Sequence, residues 1–320
     1  MKVKILTLAI VSAISFPAFA QIEVNGSVDA FVGTTKFGDA RTNAVDSSGL
    51  IKSWIGISGT EVLGDGLKAH VVLEREFDVD TGATAFADEE GFNRRSTVGL
   101  SGAFGRVDLG RQASVTADLV RLASVLPESS FGLAESSLAQ VGVADRIDNS
   151  VRFEAPGYKG LQLAGQYAFS ESDEGMRTYD LGAHYVRGPL QVMLSHQHGK
   201  DRASDTRNKI WMVGSAYDFG VVAAYANYLD GKFSASGHTI DQDAWSLGLK
   251  APVSSAGVLM AEIGEGTMKM TSLEFDARHA TLGYEHALSK RTSLYALYAR
   301  TLNSDDLDAS AVGGGMRHTF

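Results

Sequence analysis

Between residues 22 and 33 the chain alternates. Ile22, Val24, Val28, Ala30 and Val32 share one face of an extended backbone, and Glu23, Asn25, Ser27 and Asp29 share the other. A period of two over this length predicts a strand that is dry on one side and wet on the other. Sixteen such runs are predicted, at residues 22–33, 51–61, 67–79, 92–102, 106–112, 148–156, 161–170, 178–186, 190–198, 208–217, 221–230, 242–251, 258–266, 277–287, 292–301 and 312–320. Residues 34–49 and 80–91 are polar and read as loops. Short turns alternate with longer loops and the strand number is even, the pattern of an outer-membrane barrel with periplasmic turns and extracellular loops. A soluble β-sandwich also alternates, but its second face is drier. Here the second face carries Arg, Glu, Asp or Gln on most strands, which suits a wet lumen. Tyr167, Phe169, Tyr179, Tyr217, Tyr228 and Tyr298 fall near strand ends, where amphipathic rings form interfacial girdles. The expected fold is therefore all-β, a 16-stranded antiparallel transmembrane β-barrel.

One stretch breaks the rhythm. Residues 113–147 show no strand period, and an insertion this long inside a compact domain is usually functional or disordered. It is the third long loop, and it is expected to fold inward and narrow the barrel. Leu119, Val120, Leu122, Val125 and Leu126 have helical spacing and are predicted to pin it to the inner wall. Residues 129–137 (SSFGLAESS) read as small and flexible. At the other end, Met316, His318 and Phe320 share one face of the last run, which is expected to close the barrel against the first.

Composition narrows the setting. Lys2 and Lys4, an apolar run over residues 5–14 and Ala18-Phe19-Ala20 predict a secretory signal over residues 1–20, cut before Gln21. Its removal takes the formal charge from −9 to −11. The chain has no cysteine, so no disulfide framework supports it. No later run reaches the roughly 18 apolar residues of a spanning helix, and only helices and closed barrels satisfy their backbone in lipid. Net acidity argues against nucleic acid. No serine sits in a G-x-S-x-G elbow, Gly313 to Gly315 lie on a strand rather than in a phosphate loop, and no cofactor is implied. His196 and His198 share a strand face, but nothing around them supports a metal site. The acidic surplus is expected on extracellular loops, at residues 88–90 and at Asp305, Asp306 and Asp308, where divalent cations would bridge to lipopolysaccharide.

Residues 58–74 (SGTEVLGDGLKAHVVLE), 92–112 (FNRRSTVGLSGAFGRVDLGRQ), 146–169 (RIDNSVRFEAPGYKGLQLAGQYAF), 284–299 (YEHALSKRTSLYALYA) and the terminal MRHTF resemble the general porins of Gram-negative bacteria, most of all those of beta-proteobacteria and Neisseria. The resemblance spans essentially the mature chain. It implies an outer-membrane homotrimer, both termini periplasmic, and a third loop folded into the lumen. It also implies passive diffusion of small hydrophilic solutes and ions, with no enzymatic step.

A sixteen-stranded barrel leaves an aqueous channel, and selectivity then rests on pore width and rings of charge at its narrowest point. Basic residues on one wall opposite acids on the loop create a transverse field focused by low-dielectric walls. Arg111 and Arg146 match the family's constriction arginines. Strict alternation from Val98 and Leu100 puts Arg95 inside and Arg94 outside, whereas the family pattern favours Arg94. Arg111 shares parity with Val107 and Leu109, so an inward position needs a bend at Gly110. Lys52 and Arg75 are further wall candidates. The loop acids are Asp118, Glu128, Glu135 and Asp145. The chain departs from the family at Trp54, where an arginine is common; the indole either narrows the pore or faces a neighbouring subunit. A second functional reading is a surface-binding barrel with an incidental lumen. It would call for longer outer loops than these.

Overall fold

The computed structural model describes residues 21–84, 91–170, 176–201, 204–271, 273–304 and 308–320. The signal segment and the acids at 88–90, 305 and 306 lie outside them. Among the described residues seventeen strands and two helices follow in the order β1 (Gln21–Phe37), β2 (Ala40–Ser47), β3 (Trp54–Gly64), β4 (Leu67–Glu76), β5 (Arg95–Gly102), β6 (Gly105–Ala113), α1 (Val115–Leu122), α2 (Ala134–Gln140), β7 (Arg146–Glu154), β8 (Leu161–Ala168), β9 (Met176–Arg187), β10 (Leu190–Asp201), β11 (Arg207–Asp218), β12 (Ala223–Ala235), β13 (His238–Pro252), β14 (Gly257–Met270), β15 (Leu273–Ala287), β16 (Thr292–Asn303) and β17 (Ala309–Thr319). Every pairing is antiparallel between neighbours, and β17 pairs β1 from Ser27↔Thr319 to Phe37↔Ala309. That seam closes the sheet, and Phe320 completes it by exchanging backbone hydrogen bonds with Gly26 at 3.1 and 3.2 Å.

Seventeen strands make sixteen wall positions because β2 and β3 share one. β1 pairs β2 along its second half and β3 along its first. The expected loop at residues 34–49 is thus a correction: β1 runs on to Phe37, turns at Gly38 and Asp39, and returns as β2. Its residues are mostly exposed, so no burial imposes apolar alternation there.

The barrel is inside-out. Along β11, Ile210, Met212, Gly214 and Ala216 point inward and are buried, while Trp211 and Val213 point outward and are about half exposed. Leu247, Ile263 and Leu282 are likewise exposed on the outer face. Such a belt is stable only against lipid. No helix among the described residues is long and apolar enough to cross a membrane; the strands do so.

The third loop lies inside. Val115, Leu119, Val120 and Ala123 from α1 and its C-cap, with Leu138 and Val141 from α2 and its end, pack on Met193, Ile210, Met212, Leu229 and Ala244 of β10 to β13. A second cluster joins Val125, Leu126 and Phe131 to Phe31, Leu50, Met260, Tyr295 and Leu297. Contrary to the flexible reading of residues 129–137, Phe131 is 2 % exposed and meets Phe31 edge-on at 5.1 Å. The close fit needs glycine on the wall. A Cβ on Gly248 would stand 2.2 Å from Val125 Cγ2, and one on Gly182 2.4 Å from Val115 Cγ1. Overpacking of this kind costs about 1–3 kcal/mol. Gly248→Val is expected to lower the temperature at which the folded band converts to the unfolded one on a gel; an unchanged temperature would contradict this packing.

Candidate functional site

Three inner-wall carboxylates seat the inserted segments by accepting backbone N–H groups. Asp180 on β9 accepts from Thr116 N (2.9 Å) and Thr116 Oγ1 (2.7 Å) at the start of α1, and from Gln197 Nε2 (3.1 Å). Glu262 on β14 accepts from Leu133 N at 2.9 Å. Asp29 on β1 accepts from Gly49, Leu50 and Ile51 N at 3.0, 3.0 and 3.2 Å, and from the Tyr295 hydroxyl. Residues 48–53, between β2 and β3, are thereby drawn inward to meet the loop, where Ser130 N donates to Ser48 O at 2.9 Å.

These anchors bring a charge network together. Glu128, at the loop's Pro127-Glu128 turn, accepts from Arg94 Nη2 at 2.8 and 3.1 Å. Its Oε1 also lies 3.6 Å from Arg121 and 3.8 Å from Arg146. Arg94 further contacts Glu74 at 3.3 Å and Glu76 at 3.4 Å, and its guanidinium lies 5.2 Å from the Trp54 ring centroid. Lys52 pairs with Glu135 at 2.9 Å and Glu76 at 3.5 Å. Arg121 pairs with Glu135 at 2.9 Å and with Asp145. Asp118, in the first turn of α1, pairs with Arg152 at 2.6 Å, and Arg152 with Glu154 at 3.0 Å.

Placement of the expected residues is mixed. Lys52, Arg94, Arg146, Glu128 and Glu135 meet in one network, and Asp118 lies beside it. Arg95 is inside, as strict alternation requires: its Nε donates to Thr97 Oγ1 at 3.2 Å and Nη2 stands 3.7 Å from Asp108. Arg94 precedes β5, so strand parity does not bind it and it turns to the loop. Trp54 also faces inward. Two expectations are corrected. Arg75 is exposed on the outer face opposite Ile55, because β4 alternates without interruption. Arg111 keeps outward parity opposite Ser96; its Nε donates to Asn93 O at 2.5 Å and it pairs with Asp148 at 2.8 Å. Gly110 does adopt φ +123°. The extra residue, however, falls on the partner strand: three steps of β7 from Ser150 to Ile147 match two of β6 from Gly110 to Gln112. Asn149 at φ +49° takes up the bulge, and beyond it Arg146 reaches the lumen. Sequence reasoning missed Arg121 and Arg152. Arg121 was hidden within a stretch read for its apolar spacing. Arg152 had a visible signal, since it shares inward parity with Ser150 and Glu154.

Burial favours protonation of Glu128, but Arg94, Arg121 and Arg146 outweigh it and hold the carboxyl below the usual carboxylate range. Asp145 is held down in the same way by Arg121, Arg146 and Lys52 against its burial. For Arg121, burial is outweighed by Asp145, Glu135 and Glu128, which keep the guanidinium firmly charged. A cavity of about 240 Å³ opens on the network, lined by Glu74, Arg94, Arg95, Asp118, Arg146 and Arg152, among others.

A closed lipid-facing barrel with a charged, loop-lined lumen defines an outer-membrane diffusion channel. The chain belongs to the Gram-negative porin family, whose profile matches residues 7–306. It is 34 % identical to outer membrane porin protein 32 of Delftia acidovorans over 98 % of this chain and 92 % of that one. It is 31 % identical to an outer membrane porin protein of Bordetella pertussis over 83 % of this chain and 81 % of that one. Among solved structures it matches an anion-selective porin from Comamonas acidovorans with a TM-score of 0.85 and 28 % identity, covering 94 % of this chain and all of that one. The protein resides in the outer membrane, and its channel serves passive diffusion.

Proposed function

We propose that the loop-lined cavity is the constriction of a passive channel for small hydrophilic solutes and ions, and that it favours anions modestly. One observation carries the preference. Of the four arginines lining the cavity, Arg94 and Arg152 are held by close carboxylates, whereas Arg95 and Arg146 have none nearer than 3.7 Å among the described residues. An anion passing there finds guanidinium donors on offer, while a cation finds carboxylates already engaged. The likeness to an anion-selective porin supports the same sign. Nothing in the site calls for catalysis.

The test is the reversal potential of refolded protein in a planar bilayer under a salt gradient. Arg146→Ala and Arg95→Ala are each expected to move it toward cation preference, by about twofold or more in permeability ratio. A wild-type channel that prefers cations, or variants that leave the potential in place, would overturn the proposal. We further propose a homotrimer; a Vibrio cholerae barrel of similar fold is described in a trimer form. An SDS-resistant, heat-labile oligomer of three chains is the expected result.

A further inference from the structure

A second cavity, of about 560 Å³, lies between α1 and the lumen wall of β7 to β9. The wall is recessed there, because Ala164 on β8 and Gly182 on β9 face the lumen directly opposite one another. Glu154, Gln162 and His184 also line the cavity, each near a strand end that leads into a short turn. It therefore sits on the short-turn side of the inserted loop. Its opposite side is apolar. Val115, Leu119 and Val120 of α1 are buried against the wall and hold the loop. Leu122 lies outside that packing: it is 46 % exposed and lines the cavity together with Pro127. Apolar surface left open in a concave, charged cavity marks a ligand site.

One edge of the cavity is a row of acid, base and acid. Arg152 Nη1 donates to Asp118 Oδ2 at 2.6 Å, and Arg152 Nε lies 3.0 Å from Glu154 Oε1. Each member keeps bonding capacity toward the cavity. Arg152 Nη2, Asp118 Oδ1 and Glu154 Oε2 make no hydrogen bond among the described residues, and the two acid side chains are 39 % and 44 % exposed. A cation drawn to either acid meets Arg152 beside it. An anion drawn to Arg152 meets an acid on each side. A solute that carries both charges turns each repulsion into a contact.

We propose that this cavity binds zwitterionic solutes with an apolar side chain, namely apolar α-amino acids and short peptides made of them. The ammonium group donates to Asp118 or Glu154, the carboxylate accepts from Arg152 Nη2, and the side chain lies against Leu122 and Pro127. The volume is within the usual range for small-molecule sites. Conduction requires that a bound solute also leave, so the site holds these solutes briefly beside the constriction. The inference rests on the channel reading and not on the anion preference.

The test uses four probes on refolded, oligomeric protein: phenylalanine; phenylethylammonium, which lacks the carboxylate; phenylpropionate, which lacks the ammonium group; and glycine, which lacks the side chain. Dissociation constants are read by titration in a non-ionic detergent and, separately, from block of single-channel current. Phenylalanine is expected to bind about tenfold or more tightly than each of the other three. Leu122→Ser is expected to weaken phenylalanine binding about fivefold, with glycine binding, open-channel conductance and reversal potential unchanged. Arg152→Gln is expected to make phenylalanine bind no better than phenylethylammonium, and Asp118→Asn with Glu154→Gln to make it bind no better than phenylpropionate. Equal binding of phenylalanine and either singly charged analogue to the wild type, or wild-type affinity for phenylalanine in Leu122→Ser, would overturn the proposal. The titration needs no current. A protein that binds phenylalanine in this way but prefers cations would overturn the anion preference alone, and one that prefers anions but binds no phenylalanine would overturn this site alone.

Discussion

Glu128→Gln is expected to make the channel distinctly more anion-selective and its loop less firmly held. Three guanidinium groups share this carboxylate within 4 Å, and no other loop acid contacts both Arg94 and Arg146. Removing a unit charge about 8 Å from a passing ion changes its energy by roughly 0.5 kcal/mol in water and about 2 kcal/mol at an effective dielectric near 20. The sign is opposite for anion and cation, so the permeability ratio should rise severalfold, less so at high salt. Breaking a buried pair by removing one partner also costs stability, on the order of 3 kcal/mol. Reversal potentials give the first effect and the thermal conversion of the folded gel band the second. A variant with wild-type selectivity would show that Glu128 is remote from the ion path.

Acid should act like this substitution. Glu128 and Asp145 have folded-state carboxyls held below their unfolded values. Their contribution is therefore complete above about pH 4–5, where the unfolded groups are ionised, and is lost as pH falls through the lower folded values. Loop release is expected only below about pH 4. A transition between pH 5 and 7 would have to come from other groups.

The second large effect is expected at Asp180. Its carboxylate is fully buried and caps α1 from the wall, while Ser114 caps it from within the loop by accepting from Ala117 N at 3.0 Å. Asp180→Ala leaves Thr116 N, its hydroxyl and the Gln197 amide without an acceptor. Each such buried group costs about 1–3 kcal/mol, and the favourable charge at a helix N-terminus is lost as well. A destabilisation of about 3 kcal/mol or more is expected, together with a noisier open-channel current as the loop fluctuates. Asp180→Asn keeps one acceptor but turns an amide N–H group toward donors, so an intermediate effect is expected. A quiet current and an unchanged thermal conversion in Asp180→Ala would mean that the apolar face of α1 alone holds the loop.

Sequence by itself determined the barrel. Period-two patterning records which residues meet lipid, because one face of every membrane strand must be apolar, and residues 22–33 or 178–186 show it directly. It also marked residues 113–147 as inserted, and the apolar spacing of Leu119, Val120, Val125 and Leu126 as the seat of the loop, whereas Leu122 of the same set is exposed. It failed where lipid imposes nothing, as in β2, whose exposed residues hid a strand. It held on β10 to β13, although Met193, Ile210, Met212 and Leu229 make the inner face apolar there because the loop covers it.

Only the tertiary structure decided which charges meet. Arg75 and Arg95 differ by parity, which alternation settles. Arg111 and Arg146 depended on which strand bears one extra residue, and both Gly110 and Asn149 were open to it. The pairing of Glu128 with Arg94 joins positions 34 residues apart, and that of Lys52 with Glu135 joins two insertions on different wall strands. Such contacts follow from where backbone N–H groups dock on Asp29, Asp180 and Glu262. A short-range sequence pattern does not encode that docking, because each anchor is a single polar residue on a strand whose lumen face is polar anyway.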